Sequence, residues 1–200
     1  AERSMNTYLG ISTALNTGDI DEAALAQARC FYAEGYLSSS DDALGAAIAA
    51  RELAESAGIA TAISLSDPSM VTYFRENLVR ILGNGVDQLF CNEEEALSWA
   101  GTDRMDVAIA ELRDIGRTVY ITLGKAGSLV VAGTQRSQVP GFEARAVDTN
   151  GAGDIFAGAC LYGWCRGFDP AACAAFGNFA AARLVETYGA RFRRPEQYRA

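Results

Sequence analysis

Short strand-like segments alternate with longer helical segments from residue 30 onward, and this alternation limits the folds that the chain can adopt. The strand candidates are rich in β-branched and aromatic residues and span residues 30–37, 59–66, 86–92 and 118–124. The helical segments open on Ser, Asp or Asn, close at a glycine, and span residues 40–58, 67–83 and 92–116. Strand–helix–strand repetition predicts right-handed crossovers and a mostly parallel sheet with helices on both faces.

The alternation of strand and helix segments stops after Gly124. Two shorter strand candidates, 128–133 and 137–142, are joined by turn residues, and two helical segments follow them. This pattern predicts antiparallel edge strands added to the parallel sheet. No repeat, low-complexity tract or flexible linker interrupts the chain, so we expect one α/β domain over residues 1–200.

The charge balance narrows the classes of partner. The 200 residues include 17 basic and 25 acidic ones, which gives a formal net charge of -8. We therefore expect no nucleic acid and no membrane as a partner. We expect any phosphate to be bound by a small local site, because the chain has no overall positive charge. Histidine is absent, which excludes Ser-His-Asp catalysis, Cys-His catalysis and imidazole-bound zinc within this chain.

The five cysteines indicate the compartment. None forms a C-x-x-C pair and all lie among apolar residues, which favours reduced thiols and a cytoplasmic location. The longest apolar run, 155–165, is shorter than a membrane span. The chain does not begin with Met, and we expect it to come from the interior of a longer protein.

The segment Val147–Gly158, VDTNGAGDIFAG, places a glycine turn directly before an apolar helix. Several backbone N–H groups lack helical partners at such a helix start and lie at the positive end of the helix dipole. The small residues let an anion approach them. An ordinary strand-to-helix turn, with Asp154 as a first-turn acid favourable to the dipole, remains the alternative on this segment alone.

Two common phosphate-binding motifs do not fit this segment. The Rossmann fingerprint requires a third glycine where Phe156 stands and an acid at the end of the next strand. A P-loop requires a Lys followed by Ser or Thr where Asp154 and Ile155 stand. A carboxylate in the place of that lysine suggests that backbone holds the phosphate while the side chain acts on the attacking hydroxyl.

DTNGAGD (148–154) resembles the signature of the ribokinase-like, or PfkB, carbohydrate kinases, and the resemblance covers almost the whole chain. Three other segments resemble family motifs in the family's order: NEEE (92–95), TLGKAG (122–127) and GNFAAARLVETYGAR (177–191). Two more, ERSMNTYLG (2–10) and EGY (34–36), look closer to the adenosine-kinase-like branch. The resemblance implies the ribokinase-like three-layer sandwich.

The resemblance also implies an ATP-dependent kinase acting on a primary hydroxyl. Asp154 is then the base that accepts the proton of the attacking hydroxyl. The backbone N–H groups of Gly151, Ala152, Gly153 and Asp154 form an anion hole for the phosphoryl group. Arg3, otherwise a solvated surface charge, resembles a family arginine that reaches this group as a substrate lid closes.

Asn92 and Glu95 have two readings that are compatible with each other. Taken alone, they form a capping box, with Asn as N-cap and Glu at the third helical position. The resemblance adds that the pair organises Mg²⁺ and phosphate, with Glu95 acting on the metal through water.

The remaining site residues follow from the resemblance. The implied nucleotide contacts are Thr122, Gly124, Lys125, Gly127 and Asn178. A plain hairpin turn is the alternative for the glycines, and close helix packing explains the alanines 180–182. The resemblance also implies a site for a monovalent cation such as K⁺ near Asp148 and Asn150.

The resemblance implies that the chain is the C-terminal part of a ribokinase-like kinase, with residues 1–200 forming most of a single ATP-binding domain. The first strands and most of the lid, through which an oligomer could form, lie outside it. Adenosine is the favoured acceptor, and a sugar of the ribose or fructose type is the alternative. Two rival functions are a catalytically silent nucleotide-binding module and a dinucleotide-dependent oxidoreductase, the latter disfavoured by the missing third glycine.

Overall fold

The computed structural model describes residues 10–198, and these residues form an α/β fold. Its eight α-helices are α1 (Glu22–Leu25), α2 (Asp41–Ser56), α3 (Pro68–Tyr73), α4 (Arg75–Leu82), α5 (Glu93–Ala100), α6 (Met105–Ile115), α7 (Ala152–Cys165) and α8 (Pro170–Leu184). Its six strands are β1 (Cys30–Glu34), β2 (Ala60–Ser64), β3 (Val86–Asn92), β4 (Gly116–Thr122), β5 (Ser128–Ala132) and β6 (Gln135–Val139).

The strands pair in chain order, β1-β2-β3-β4-β5-β6. β1 is parallel to β2 with Tyr32 opposite Ala62, and β2 is parallel to β3 with Ile63 opposite Leu89. The carboxyl ends of these three strands therefore lie at one edge of the sheet. Asn92 closes β3 at that edge. The parallel sheet predicted from the alternating segments is confirmed.

β5 and β6 are hydrogen-bonded neighbours joined by only two residues, Gly133 and Thr134. So short a connection requires an antiparallel pair, because parallel neighbours need a crossover of a dozen or more residues. The antiparallel strands expected after Gly124 are therefore confirmed. β6 ends at Val139 because Pro140 has no N–H for the next ladder bond.

Two predicted helices are each divided in the structure. Residues 67–83 form α3 and α4, which meet at Phe74, a residue outside the helical conformation with φ -125° and ψ 23°. Phe74 ends a run of β-branched and aromatic residues, which are weak helix formers. Residues 92–116 form α5 and α6 because Gly101, with φ 58°, caps α5 in the left-handed conformation.

The first strand is shorter than predicted. It stops at Glu34, and Gly35–Ser39 form a short 3-10 helix instead. The Gly35 N–H donates to Ser66 Oγ at 2.8 Å, and a Cβ at Gly35 would lie 2.5 Å from the Leu65 carbonyl oxygen. The close approach of these two strand ends requires glycine and turns the chain out of the sheet.

The chain divides into two compact units. The first, here called the phosphate-loop unit, contains Thr122–Val130 and the residues from Arg136 onward. The second, here called the capping-box unit, contains residues 10–121 together with Val131–Gln135. The single ATP-binding domain over residues 1–200 stays a prediction.

Candidate active site

The glycine turn leads into α7 within the phosphate-loop unit. Gly151 is the N-cap residue, with φ 76° and ψ 3°, a left-handed conformation that glycine adopts without strain. α7 then runs for 14 residues, long enough to carry a full helix dipole. Asp154 lies in its first turn with an exposed side chain. The predicted glycine turn into a helix is present with an accessible carboxylate, although a loop over residues 140–150 and not a strand precedes it.

The amides at the start of α7 are the donors that an anion would use. Within the part of the chain that the structure describes, the N–H groups of Gly151, Gly153 and Asp154 donate no hydrogen bond. The Ala152 N–H donates to Thr149 O over a long 3.3 Å. Unpaired donors at a helix start attract a phosphate or carboxylate. This geometry suits the anion hole inferred from the sequence.

The loop before α7 is anchored to the segment after α8. Both carboxylate oxygens of Asp148 accept backbone N–H groups, one from Asn150 at 2.9 Å and one from Gly189 at 2.9 Å. A Cβ at Gly151 would lie 2.2 Å from the carbonyl oxygen of Ala190. The position of the anion hole therefore depends on Gly189 and Ala190, which are remote from it in sequence.

The turn after β4 is packed tightly against the end of β6. Gly127 has φ 95°, and a Cβ there would lie 2.2 Å from Val139 O. Asn178 of α8 is buried, and its amide donates to Val139 O at 3.2 Å and to Pro140 O at 3.1 Å. Asn178 thus fixes this turn, and its Oδ1 is the side-chain atom left for a ligand.

The other residues predicted to contact the nucleotide lie on the same turn. Thr122 is the last residue of β4, and Gly124, with φ 57°, begins the short 3-10 helix Gly124–Ala126. Lys125 on that helix is exposed. The phosphate-loop unit therefore contains all five predicted nucleotide residues, together with Asp148, Asn150 and the α7 start.

Asn92 and Glu95 form the capping box of α5 in the capping-box unit. Asn92 Oδ1 accepts the Glu95 N–H at 2.8 Å, and Glu95 Oε2 accepts the Asn92 N–H at 3.0 Å. A third bond runs from Asn92 Nδ2 to Glu95 Oε1 at 2.6 Å. The capping interpretation of the pair is confirmed, and it holds Glu95 in one orientation at the carboxyl end of β3.

Glu95 is only 3% exposed, and burial raises the pKa of its carboxyl group from 4.5 to about 7. The backbone N–H of Asn92 lowers the pKa, whereas the carboxylates of Asp67 and Glu94 raise it. Asp67 is the N-cap of α3 and accepts the Ser69 N–H at 2.8 Å. In the sequence, Asp67 is only the first residue of the helical segment 67–83, and its effect on Glu95 has no local signal because the fold brings the two carboxylates near each other.

We expect Glu95→Gln to stabilise the protein more at pH 8 than at pH 5. Glu95 has a higher pKa folded than unfolded, so its folded form holds more protons between these values, and stability is lost as pH rises from about 4.5 to 7. Glutamine removes this loss, so the variant should gain about 2–3 kcal/mol relative to the parent between pH 5 and pH 8.

Urea unfolding of both proteins at the two pH values measures that difference. Glu93→Gln is the matched control, because Glu93 is an exposed acid in the same helical turn. Equal pH dependence of the parent and Glu95→Gln would show that Glu95 ionises normally in the folded protein.

Three further findings complete the description of the site and the chain. Arg3 lies outside the described residues. Within residues 10–198, no group of three or more His, Cys, Asp or Glu side chains could hold a metal ion. Across the same residues, none of the helices has the length and apolar character needed to cross a bilayer.

Comparison with known proteins decides the family. The model of the pfkB family of carbohydrate kinases matches residues 1–197. The chain belongs to this family. The resemblance carried by DTNGAGD and the three other motifs is therefore confirmed, as is the fold that it implied.

Individual pfkB relatives include both sugar and nucleoside kinases. A probable sugar kinase from Rhizobium etli CFN 42 is 31% identical, with a TM-score of 0.92 over 97% of this chain and 59% of that one. Adenosine kinase from Sinorhizobium meliloti is 32% identical, with a TM-score of 0.88 over 94% of this chain and 58% of that one. Adenosine kinase from Saccharomyces cerevisiae is 28% identical over 203 residues, 94% of this chain and 58% of that protein. The chain thus spans less than two thirds of the length of these relatives.

Proposed function

We propose that the protein containing this pfkB chain is a kinase that transfers the γ-phosphate of ATP to a primary hydroxyl of a nucleoside or sugar. The observation that carries the proposal is the start of α7, where three unpaired amides of Gly151, Gly153 and Asp154 accompany an exposed carboxylate. Amides stabilise a phosphoryl group, and a carboxylate accepts a proton. Both are needed when a hydroxyl attacks a phosphate.

Asp154 is the proposed base. Its carboxylate accepts the proton of the attacking hydroxyl, while the amides of Gly151, Gly153 and Asp154 bind the oxygens of the transferring group. The Ala152 amide joins them when it exchanges its long bond to Thr149 O for a phosphate oxygen. Because the transition state of phosphoryl transfer is loose, positioning and charge stabilisation contribute most of the rate. Arg3 is proposed to add positive charge beside the same group.

The turn that carries Thr122, Gly124, Lys125 and Gly127 is proposed to bind the phosphates and ribose of ATP. Its glycines allow close approach of a ligand to the backbone. Asn178 supports this turn through Val139 and Pro140 and offers Oδ1 to the adenine edge. Asp148 and Asn150 are proposed to lie near a monovalent cation, K⁺, whose attraction to the carbonyls of this loop would complement the bonds that Asp148 already makes.

Asn92 and Glu95 are proposed to organise Mg²⁺ through water. Both Glu95 oxygens already accept hydrogen bonds from Asn92, so the carboxylate suits an outer position around a hydrated ion. Mg²⁺ keeps several waters and is usually bound by one or two carboxylates and the substrate phosphates. When bound, the ion supplies charge neutralisation to the phosphates.

Adenosine is the proposed acceptor, with ribose- and fructose-type sugars as the second candidate. The segment EGY (34–36) and the adenosine kinases from S. meliloti and S. cerevisiae support the nucleoside. The probable sugar kinase from R. etli supports the sugar. The proposal keeps the protein in the cytoplasm, as its thiols suggest, and leaves room for an oligomer formed through the lid.

An assay of ADP release by the intact protein should decide between the acceptors. With ATP and Mg²⁺ present, we expect faster release with adenosine than with inosine, ribose or fructose, because the site is proposed to accept a base as well as a ribose. Higher kcat/KM for ribose or fructose would place the protein among sugar kinases. Binding of ATP with no release for any acceptor would favour the catalytically silent alternative.

A further inference from the structure

The segment that follows α8 contains a second candidate site for an anion. Residues Arg191, Phe192, Arg193, Arg194, Pro195 and Tyr198 line a cleft of about 640 Å³. Among residues 10–198, the lining contains three guanidinium groups and no carboxylate, in a chain whose formal net charge is -8. The kinase reaction proposed above makes no use of these arginines.

The three arginines are free to bind an anion. Among residues 10–198, Arg191, Arg193 and Arg194 form no ion pair, and all three are exposed. Within the described residues, Arg193 also donates one hydrogen bond to a neutral partner, Tyr188 O, over a long 3.4 Å. Guanidinium groups bind phosphate oxygens with two parallel hydrogen bonds.

The backbone of the cleft is ordered by its own contacts rather than by a ligand. Gln197 Oε1 accepts the N–H groups of Arg193 at 3.2 Å and Arg194 at 3.0 Å, which brings the two arginines onto one turn. The ring of Tyr198 packs edge-on against Phe192 at 5.1 Å, and its hydroxyl donates to Phe192 O at 3.3 Å. A turn held in this way needs little further ordering of its backbone when a ligand binds.

The segment also begins where the phosphate loop is anchored. Gly189 donates to Asp148 Oδ2, and Ala190 packs against Gly151, so Arg191 directly follows the two residues that hold the start of α7. The cleft is therefore built on the same support as the proposed anion hole, although its lining residues belong to a different stretch of chain.

We propose that this arginine cleft is a second anion site, separate from the α7 start, and that its ligand is a small molecule carrying a diphosphate or longer phosphate chain. A single phosphate can engage one or two guanidinium groups. Three of them on one short turn match a ligand with several adjacent phosphate oxygens. The Phe192 and Tyr198 rings add an apolar wall that a planar group attached to the phosphates could contact.

Calorimetric titration of the intact protein with inorganic pyrophosphate tests the site. We expect two binding events per chain in the parent and one in Arg193→Gln/Arg194→Gln, with the affinity of the lost site reduced about tenfold or more for each guanidinium removed. Gly153→Asp adds a carboxylate beside the α7 amides at a position where a Cβ meets nothing within 4 Å, so it should weaken binding at α7 and leave the cleft event in place. Arg80→Gln/Arg113→Gln is the matched control, because it removes two exposed arginines from α4 and α6.

The outcomes separate this proposal from the kinase proposal. An event lost with the cleft variant supports the cleft even in a protein that phosphorylates nothing. One event in the parent, unchanged by the cleft variant, would overturn the cleft. A single event weakened equally by the cleft variant and by Gly153→Asp would also overturn it, since the arginines would then serve the donor phosphates at α7. If the double variant melts below the parent, Arg191→Gln replaces it under the same criteria.

Discussion

Asp154→Asn should lower turnover by roughly 10²–10⁴ while folding and ATP affinity persist, because asparagine fits the same helix start but cannot accept the proton of the attacking hydroxyl. Removing the negative charge should leave ATP affinity unchanged or slightly higher, since the phosphates no longer face a carboxylate. Steady-state kinetics, ATP titration and thermal unfolding on one preparation of the intact protein measure the three quantities together.

If Asp154 has only a structural role, Asp154→Asn should lower stability and leave turnover nearly unchanged. Loss of an acid from the first turn of α7 would cost about 0.3–1 kcal/mol of stability through the helix dipole and would leave turnover nearly constant. Asp169→Asn is a suitable control, because Asp169 caps α8 in the same unit and asparagine caps equally well. A turnover within a few-fold of the parent would exclude Asp154 as the base.

Gly151→Ala should destabilise the protein by about 2–4 kcal/mol. Alanine must adopt φ 76°, and its Cβ would lie 2.2 Å from Ala190 O, a backbone atom that a side-chain rotation cannot move away. The loop before α7 would have to shift, so ATP affinity should also fall. Urea unfolding measures the stability change, and ATP titration at a temperature where the variant stays folded measures the second effect.

Gly153→Ala is the matched control for that substitution. A Cβ at Gly153 would meet nothing within 4 Å, and the residue already lies inside α7 with no positive φ. Alanine there should keep or slightly raise stability, because glycine within a helix costs about 1 kcal/mol relative to alanine. Equal stability losses for the two alanines would mean that the contact between Gly151 and Ala190 does not hold the loop.

Local patterns predicted the elements of the fold well. The strand over residues 86–92 appears with the same bounds, and the capping box at Asn92 and Glu95 forms as its residue types indicate. The errors lie where local preference and tertiary contact compete. The end of β1 at Glu34 depends on Gly35 meeting Leu65 and Ser66, and no local pattern contains that contact.

The candidate site likewise has features that local sequence predicts and features that depend on tertiary contacts. The glycine turn and Asp154 could be predicted from the seven consecutive residues 148–154, because a helix start with small residues is specified by local sequence. The anchoring of that turn by Gly189 and Ala190 joins residues about forty positions apart, as does the bond from Asn178 to Val139. The raised pKa of Glu95 likewise needs its burial and the position of Asp67. These features follow from packing, which the sequence specifies only through the complete fold.

The central claim is that the carboxylate and amides at the start of α7 transfer phosphate to an acceptor hydroxyl. Mass spectrometry of adenosine after incubation with ATP, Mg²⁺ and the intact protein tests it most directly. The account predicts an acceptor that carries one added phosphoryl group with the parent protein and almost none with Asp154→Asn. Unmodified adenosine, ribose and fructose after incubation with folded parent protein, or equal product from both proteins, would contradict the claim.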